Sequence, residues 1–363
     1  MIWNPLKIFS KKILGIDIGT STIRIVELSS WRGRAKLENY GEIKSSSLHG
    51  ESFRRIEGEK MMLSDTDISK GIRAIIEKSG MEAEEVIFSL PDFSTFFTVF
   101  SLPRMEEDEL KDAIAYEARR YVPLPLKKVT LDWEIVENDE LNARKPIKVI
   151  LAAISNELID QYKQIAELSE LNLNTLEAEV FSLVRSQMHK KEDFVAIEIG
   201  ARTTTVSVIH NNNLAISHSI DVGGDSFSDI LVEKLNFDYE QAEEVKKEIG
   251  IKKQKNKKSS EKNIRQFLLY KIDRILNEVE QISEEFNRKQ GVEPKEIILA
   301  GAAAQMPGLV KYTEDYLGKK VKISNPFVNI SYPPILNKKL KEIGPSYSIA
   351  IGSALKEIVQ NGN

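Results

Sequence analysis

Cysteine is absent from all 363 residues, which excludes a disulfide framework, thiolate catalysis and cysteine-ligated zinc together. Histidine is scarce. His49, His189, His210 and His218 are scattered without metal-ligand spacing, so no metal site built from His or Cys is expected. No apolar run approaches the roughly 20 residues that cross a bilayer, and the opening MIWNPLKIFSKK lacks the apolar stretch of a signal peptide. A cytoplasmic protein is expected. Residues 1–12 mix Ile2, Trp3, Leu6, Ile8 and Phe9 with Lys7, Lys11 and Lys12; they read as a leader rather than an anchor, because one short segment binds a membrane weakly. Net charge is only −4, so no global basic field invites nucleic acid. The single dense basic run, KKQKNKKSSEK within Lys246 to Lys262, has almost no apolar content and reads as a solvated loop.

What the chain does have is apolar content, 41%, and enough length for two domains. It also repeats itself. Ile16-Asp17-Ile18-Gly19-Thr20-Ser21-Thr22 is echoed by Ile197-Glu198-Ile199-Gly200-Ala201-Arg202-Thr203, and a β-rich run follows each copy, Ile23–Leu28 and Thr204–Ile209. Each copy reads as strand, tight glycine turn and strand, with a carboxylate two residues before the glycine. Two such hairpins indicate a duplicated fold.

Between the hairpins, Leu48 to Lys60 is polar and loop-like, apolar residues at helical spacing predict a helix over 65–79, and Val86–Leu90 is a buried strand. Residues 91–184 then read as an inserted α+β module: a strand from Phe96 to Leu102, a helix from about Glu106 to Tyr121 stopped by Pro123 and Pro125, strands at Thr130–Val136 and Ile147–Ile154, and a helix from Asn156 to Leu171. Beyond the second hairpin come a helix after Asp221-Val222-Gly223-Gly224-Asp225, a long helix from about Asn263 to Arg288, the strand Glu296–Ala300 with its turn at Gly301, and a final helix from about Ser346 to Val359. The expected division puts 1–90, 185–215 and 335–363 in one lobe, 91–184 in the module, and 216–334 in the second lobe with the Lys-rich loop 246–262.

A turn without bulky side chains lets backbone N–H groups face an anion, and neighbouring Thr and Ser hydroxyls add donors. One copy is weak evidence, since a hairpin with Gly and Thr is usually only a hairpin. Two copies with matching carboxylates suggest phosphates clamped from both sides around a hydrated cation, and magnesium, which keeps several waters, fits that role.

These segments resemble the actin, heat-shock chaperone and sugar-kinase superfamily. LGIDIGTSTIRIVEL (14–28) is similar to its first phosphate loop, VAIEIGARTTTVSVI (195–209) to its second, and IILAGAAAQMPGL (297–309) to its adenosine loop. Within it, the stretch from Glu107 to Pro125, containing ELKDAIAYEARRYVPLP, together with AEVFSL at 178–183, Val222–Asp225 and Ala242–Lys246, resembles the PilM family of type IV pilus assembly, itself similar to FtsA. The resemblance covers essentially the whole chain. It implies an actin-like, two-lobed, duplicated α/β fold of the FtsA type with an inserted α+β module, binding ATP with Mg.

By that resemblance Asp17 organises the magnesium-bound waters, and Gly19, Thr20, Ser21 and Thr22 meet the phosphates. Glu198, Gly200, Thr203 and Thr204 face them from the other lobe. Gly223 and Gly224 start a helix whose N-terminus favours negative charge; Glu243 and Lys246 reach the ribose or adenine; Gly301 and Ala302 let the backbone approach the nucleotide; and Glu177 sits near the hinge. Two positions depart from the pattern. Glu198 stands where the family usually has Asp, moving the carboxylate by about an ångström, enough to misplace a catalytic water. Ala302 and Ala303 stand where Gly is usual, so that turn has less freedom. Any enzyme activity is then at most a slow ATPase.

The implied function is an ATP-binding platform, peripheral to the inner membrane through its partner. In the family, a cleft beside the inserted module captures the cytoplasmic N-terminal segment of the membrane protein PilN, and the pair links to the assembly motor. Phe93, Phe96, Phe97 and Phe100 are candidates to line a peptide groove, although core and strand packing is the plainer account of any single one. The rival readings are an FtsA-like filament-forming scaffold and a small-molecule kinase on the same fold.

Overall fold

The computed structural model describes residues 11–31, 34–48, 53–57, 60–137, 146–187, 193–252 and 259–360. Strands β1 (Lys12–Ile18), β2 (Thr22–Trp31) and β3 (Arg34–Lys44) form an antiparallel meander. A hairpin of β4 (Arg54–Glu57) and β5 (Lys60–Leu63) follows, with β4 inside the stretch expected to be a loop and β5 starting at its end. Helix α1 (Asp65–Ser79) has Asp65 and Asp67 at its positive end, and Gly80 ends it at φ +63°. The chain returns through β6 (Glu85–Leu90), parallel to β1.

The module comprises β7 (Thr95–Leu102), α2 (Glu107–Ala118), β8 (Val129–Glu137) and β9 (Ile147–Ser155), with strand order β7-β9-β8. It ends earlier than expected. Helix α3 (Asn156–Leu168) packs Leu158, Tyr162 and Ile165 against Ile16 and Phe88, and β10 (Asn172–Ala178) pairs parallel with β6. Both belong to the first lobe, because their apolar faces are buried by its sheet and not by the module.

Helix α4 (Glu179–Ser186) crosses to the second lobe. There β11 (Phe194–Ile199), β12 (Thr204–His210) and β13 (Asn213–Ile220) repeat the meander, followed by α5 (Gly224–Leu235), α6 (Tyr239–Glu248), α7 (Ser259–Gln290), β14 (Glu296–Ala300), α8 (Leu309–Leu317) and β15 (Lys320–Ile323). The expected place of 185–215 in the first lobe is therefore corrected: β11 and β12 pair with β14 and β13, not with any strand of the first sheet. Strand β16 (Ile330–Ser331) and helix α9 (Asn337–Gln360) close the first lobe.

The first sheet runs β10-β6-β1-β2-β3-β16 and the second, read from the corresponding end, β15-β14-β11-β12-β13. The first five strands of the first sheet, β10 to β3, match the second in order and direction, so the echo in the sequence is a duplication of the fold. One core lies between the first sheet and α1 and α3, and another on its opposite face under α9. The largest joins the second sheet to α5 and α7.

Three further expectations change. Lys12 begins β1, and residues 1–10 of the expected leader lie outside the described residues. Lys246 is a buried helical residue of α6, and α7 already begins at Ser259, so only 253–258 of the Lys-rich stretch stay undescribed. Helix α9 starts nine residues before the expected Ser346 and carries Pro345 inside it. Among the described residues no helix is long and apolar enough to cross a membrane.

A candidate nucleotide cleft between the lobes

The same turn is built twice. Gly19 N–H donates to Thr22 O at 3.0 Å, and Gly200 N–H to Thr203 O at 3.0 Å. A Cβ on Gly19 would lie 2.9 Å from Thr22 O, too close for a side chain, and one on Gly200 3.1 Å from Thr203 O, where the turn would have to open by a few tenths of an ångström. The tight turn fixes the register: Asp17 stands opposite Arg24 and Glu198 opposite Thr205. This is where the two copies differ chemically. Arg24 Nη1 lies 4.0 Å from Asp17 Oδ2, whereas the cross-strand partner of Glu198 carries no charge.

The turns face each other across a cavity of about 90 Å³. Asp17, Gly19, Thr20, Ser21 and Thr22 line it from the first lobe; Glu198, Gly200 and Thr203 from the second; and Gly301 and Ala302 from the loop after β14. Gly301 sits at φ +87°, and a Cβ there would lie 2.3 Å from Ile199 O and 2.6 Å from Glu198 Oε1, so only glycine lets this loop reach the second turn.

The remaining candidates lie elsewhere. Glu177 is ion-paired with Arg185 and Lys356 and accepts from Ser182 Oγ at 2.9 Å. Burial raises its pKa less than Arg185 and Lys356 lower it, so the carboxylate is held ionised. Thr204 is fully buried behind the turn, its hydroxyl donating to Val222 O at 2.7 Å. Gly223 packs its backbone on the second turn, where a Cβ would meet Ala201 O at 2.6 Å. Gly224 and Asp225 donate their N–H groups to Gly200 O and Ala201 O, at 2.9 and 2.7 Å. The start of α5 thus braces the second turn with the donors expected to face a nucleotide. Glu243 and Lys246 form an ion pair, and Lys246 also donates to Gly224 O at 2.8 Å and Ser228 Oγ at 2.9 Å.

Arg24, Glu179, Arg202, Ser346 and Ile349 also line the cleft. Arg24 was readable beforehand, since the tight turn sets Asp17 opposite it. Glu179, Ser346 and Ile349 come from the helices α4 and α9, and only tertiary packing brings them here.

Burial pushes Glu198 well above the usual carboxylate range, and the neighbouring carboxylates of Glu179, Asp17 and Asp92 push it further, opposed by Arg24. Such a cleft suits a cation that accompanies an anion. Asp17 and Glu198 beside the hydroxyls of Thr20, Ser21 and Thr203 are the donor set a cation held through water would meet, the habit of magnesium; among the described residues no three carboxylates or histidines converge as direct metal ligands. The enclosed volume accommodates phosphate oxygens and a hydrated ion; it is smaller than the roughly 300–1,000 Å³ of a whole-ligand pocket.

A larger crevice, about 470 Å³, separates the module from the second lobe. Phe97, Val99 and Ile150 line one wall, and Leu214, Ile216 and Phe286 the other. Phe97 and Phe100 of the four candidate phenylalanines line it; Phe96 packs instead against the core under α2, and Phe93 is not part of its wall. The walls include Phe97 to Ser101 of β7 and Asn213 to His218 of β13 without a gap, and each is the edge strand of its sheet. Consecutive residues can border a groove only if the strand presents its backbone edge as well as alternate side chains.

Comparison with known proteins agrees with this architecture. Cell division protein FtsA of Enterococcus faecalis is 23% identical over 353 residues, covering 86% of this chain and 78% of that protein, and FtsA of Streptococcus pneumoniae is 22% identical over 352 residues, covering 86% and 75%. Among solved structures, a PilM-PilN type IV pilus biogenesis complex superposes with a TM-score of 0.80 at 22% identity, covering 95% of this chain and 98% of that one. MreB 5 of Spiroplasma citri bound to AMPPNP superposes at 0.52 with 15% identity, covering 97% and 99%. These likenesses show the actin-like fold. The family model for type IV pilus assembly protein PilM matches residues 15–358, and the chain belongs to that family.

Proposed function

We propose that this protein is an ATP-binding platform of type IV pilus assembly that holds the cytoplasmic N-terminal segment of PilN and links it to the assembly motor. The observation that supports the nucleotide half is the pair of identical turns facing each other with Asp17 and Glu198 between them. Asp17 would orient the waters of a magnesium ion, Gly19 to Thr22 and Thr203 would meet phosphate oxygens, and Gly301 and Ala302 would border the adenosine. Bound ATP·Mg supplies the charge that draws the two lobes together. Because the enclosed volume is small, purine and ribose enter only when the lobes part, and Glu243 and Lys246 become available to the ribose when they release Gly224 and Ser228.

Hydrolysis is slow or nil in this reading. Glu198 carries one methylene more than aspartate, and burial among carboxylates favours its protonated form, which is a poor orienter of an attacking water.

The partner half rests on the crevice beside the module, whose mixed apolar and polar lining and strand edges suit an extended segment. Attachment to the cytoplasmic face of the inner membrane then comes through PilN. Calorimetric titration tests both halves. ATP with magnesium is expected to bind the parent, and Asp17→Ala to weaken that by at least tenfold, about 1.4 kcal/mol. A synthetic PilN-type N-terminal peptide is expected to bind the parent but not Ile216→Glu. Absence of nucleotide binding would leave only a scaffold, and unaltered peptide binding to Ile216→Glu would move the partner to another surface.

A further inference from the structure

The chain leaves the first sheet at the end of β6 and comes back to it through β10, and these strands finish side by side, with Ala178 opposite Leu90. Two residues beyond each end the paths are joined. Asp92 Oδ1 accepts the Val180 N–H at 3.0 Å, and both residues are buried. That bond ties the first turn of α4 to the short turn, Asp92–Ser94, through which the chain enters the module.

Helix α4 touches both sites at once. Its first residue, Glu179, lines the cleft. Phe181, two residues on, meets Phe97 of β7 edge to face at 5.7 Å, and Phe97 lines the crevice. On another side α4 is bound to α9: Arg185 Nη1 donates to Gly352 O at 2.9 Å, and the hydroxyls of Ser182 and Ser353 lie 2.9 Å apart. Helix α9 in turn brings Ser346 and Ile349 to the cleft.

We propose that α4, anchored by Asp92, is the positioning element through which a nucleotide in the cleft sets the placement of the module and hence the affinity of its crevice for an extended, amphipathic peptide. The proposal rests on the function proposed above and names how its two sites communicate. A cation or phosphate entering the cleft alters the field on Glu179 and Glu198. Helix α4 is about 12 Å long at 1.5 Å per residue, too short and too firmly packed to absorb a shift of its first turn by bending, so the shift reaches Phe181. By linkage, peptide in the crevice changes nucleotide affinity by the same factor.

The test is the peptide affinity with and without saturating ATP·Mg, measured for the parent, Asp92→Ala, Asp92→Asn and Phe181→Leu. The parent is expected to show at least about fivefold coupling, the lower end for allosteric proteins. Asp92→Ala and Phe181→Leu are expected to bring that factor within about twofold of unity, read as a ratio so that any change in the affinity for either ligand alone cancels. Asp92→Asn keeps the acceptor for Val180 N–H and is expected to keep the coupling, which separates anchoring from general destabilisation. Two bound ligands with no coupling in the parent, or parental coupling in Asp92→Ala, overturns the proposal. If either ligand fails to bind the parent, the functional reading itself falls, and that outcome is seen before any variant is measured.

Discussion

At the scale of single residues, the two hairpins share a backbone and diverge in charge. Asp17 has Arg24 across the ladder; Glu198 has Thr205. Because the folded pKa of Glu198 lies above its unfolded value, the native state holds its proton more tightly than the unfolded chain does. Stability then declines as pH rises from the ordinary carboxylate range through the folded pKa. Glu198→Gln is expected to raise Tm at neutral pH by a few degrees and to lose that advantage near pH 4, as thermal melts across pH would show. A flat difference would mean that the cleft does not disfavour the charge. Gly301→Ala tests the neighbouring loop. A methyl group 2.3 Å from Ile199 O, on a backbone at φ +87°, is expected to cost about 1–3 kcal/mol in urea unfolding. The residues that the sequence placed in the cleft are those a short turn places by itself, from Asp17 to Thr22, then Glu198, Gly200 and Thr203. Glu177, Thr204, Glu243 and Lys246 do not line the cavity, because the direction of their side chains is set by packing against α4, α5 and α9, which no local pattern encodes.

At the scale of elements, helix boundaries were legible where capping chemistry marks them. Helix α1 spans the residues its periodicity indicates because Asp65, Asp67 and Gly80 mark both ends. The start of α9 was missed because Pro345 reads as a break, yet a proline removes only one backbone donor and the helix continues through it. Strands β3 and β13 were equally obscure, since most of their residues are only partly buried and no clean alternation marks them. The crossing of α4 and α9 is closer than ordinary helix packing allows: a Cβ on Gly352 would lie 1.7 Å from Ser182 O. Gly352→Ala is therefore expected to cost about 3 kcal/mol or more by forcing the helices apart, and an unchanged denaturation midpoint would contradict the tight crossing. In α6, burial disfavours the Glu243 carboxylate, but hydrogen bonds from Lys246 and Ser228 outweigh it and hold the group at about 2. A depressed acid stabilises the fold above its unfolded pKa, so this contribution is full above pH 4.5 and lost as pH falls toward 2. Glu243→Gln is expected to flatten the acid limb of the stability profile across that interval.

At the scale of the whole molecule, two lobes of the same strand order meet at one cleft, so anything that binds both lobes favours the closed form. With ATP·Mg at a hundred times its Kd the expected stabilisation is about 2.7 kcal/mol. It should be visible as a rise in Tm that Asp17→Ala lacks. The duplication was legible because each lobe begins with the same short hairpin, whereas the lobe boundaries were not, because strands far apart in sequence complete each sheet.

The order in which the first lobe is assembled has a consequence during synthesis. Ile13, Val26, Leu28 and Ile87 share one face of the first sheet, and the residues that cover it, Leu340, Tyr347, Ala350, Ile351, Ala354 and Ile358, are translated last. At about 5–20 residues per second, the interval between Leu90 and Leu340 lasts roughly 12–50 s. Throughout it the nascent chain carries an apolar sheet face without the helix that covers most of it. The first lobe therefore cannot mature as an independent N-terminal domain on the ribosome. A chain terminated before Leu340 is not half a protein but a substrate for chaperones and proteases.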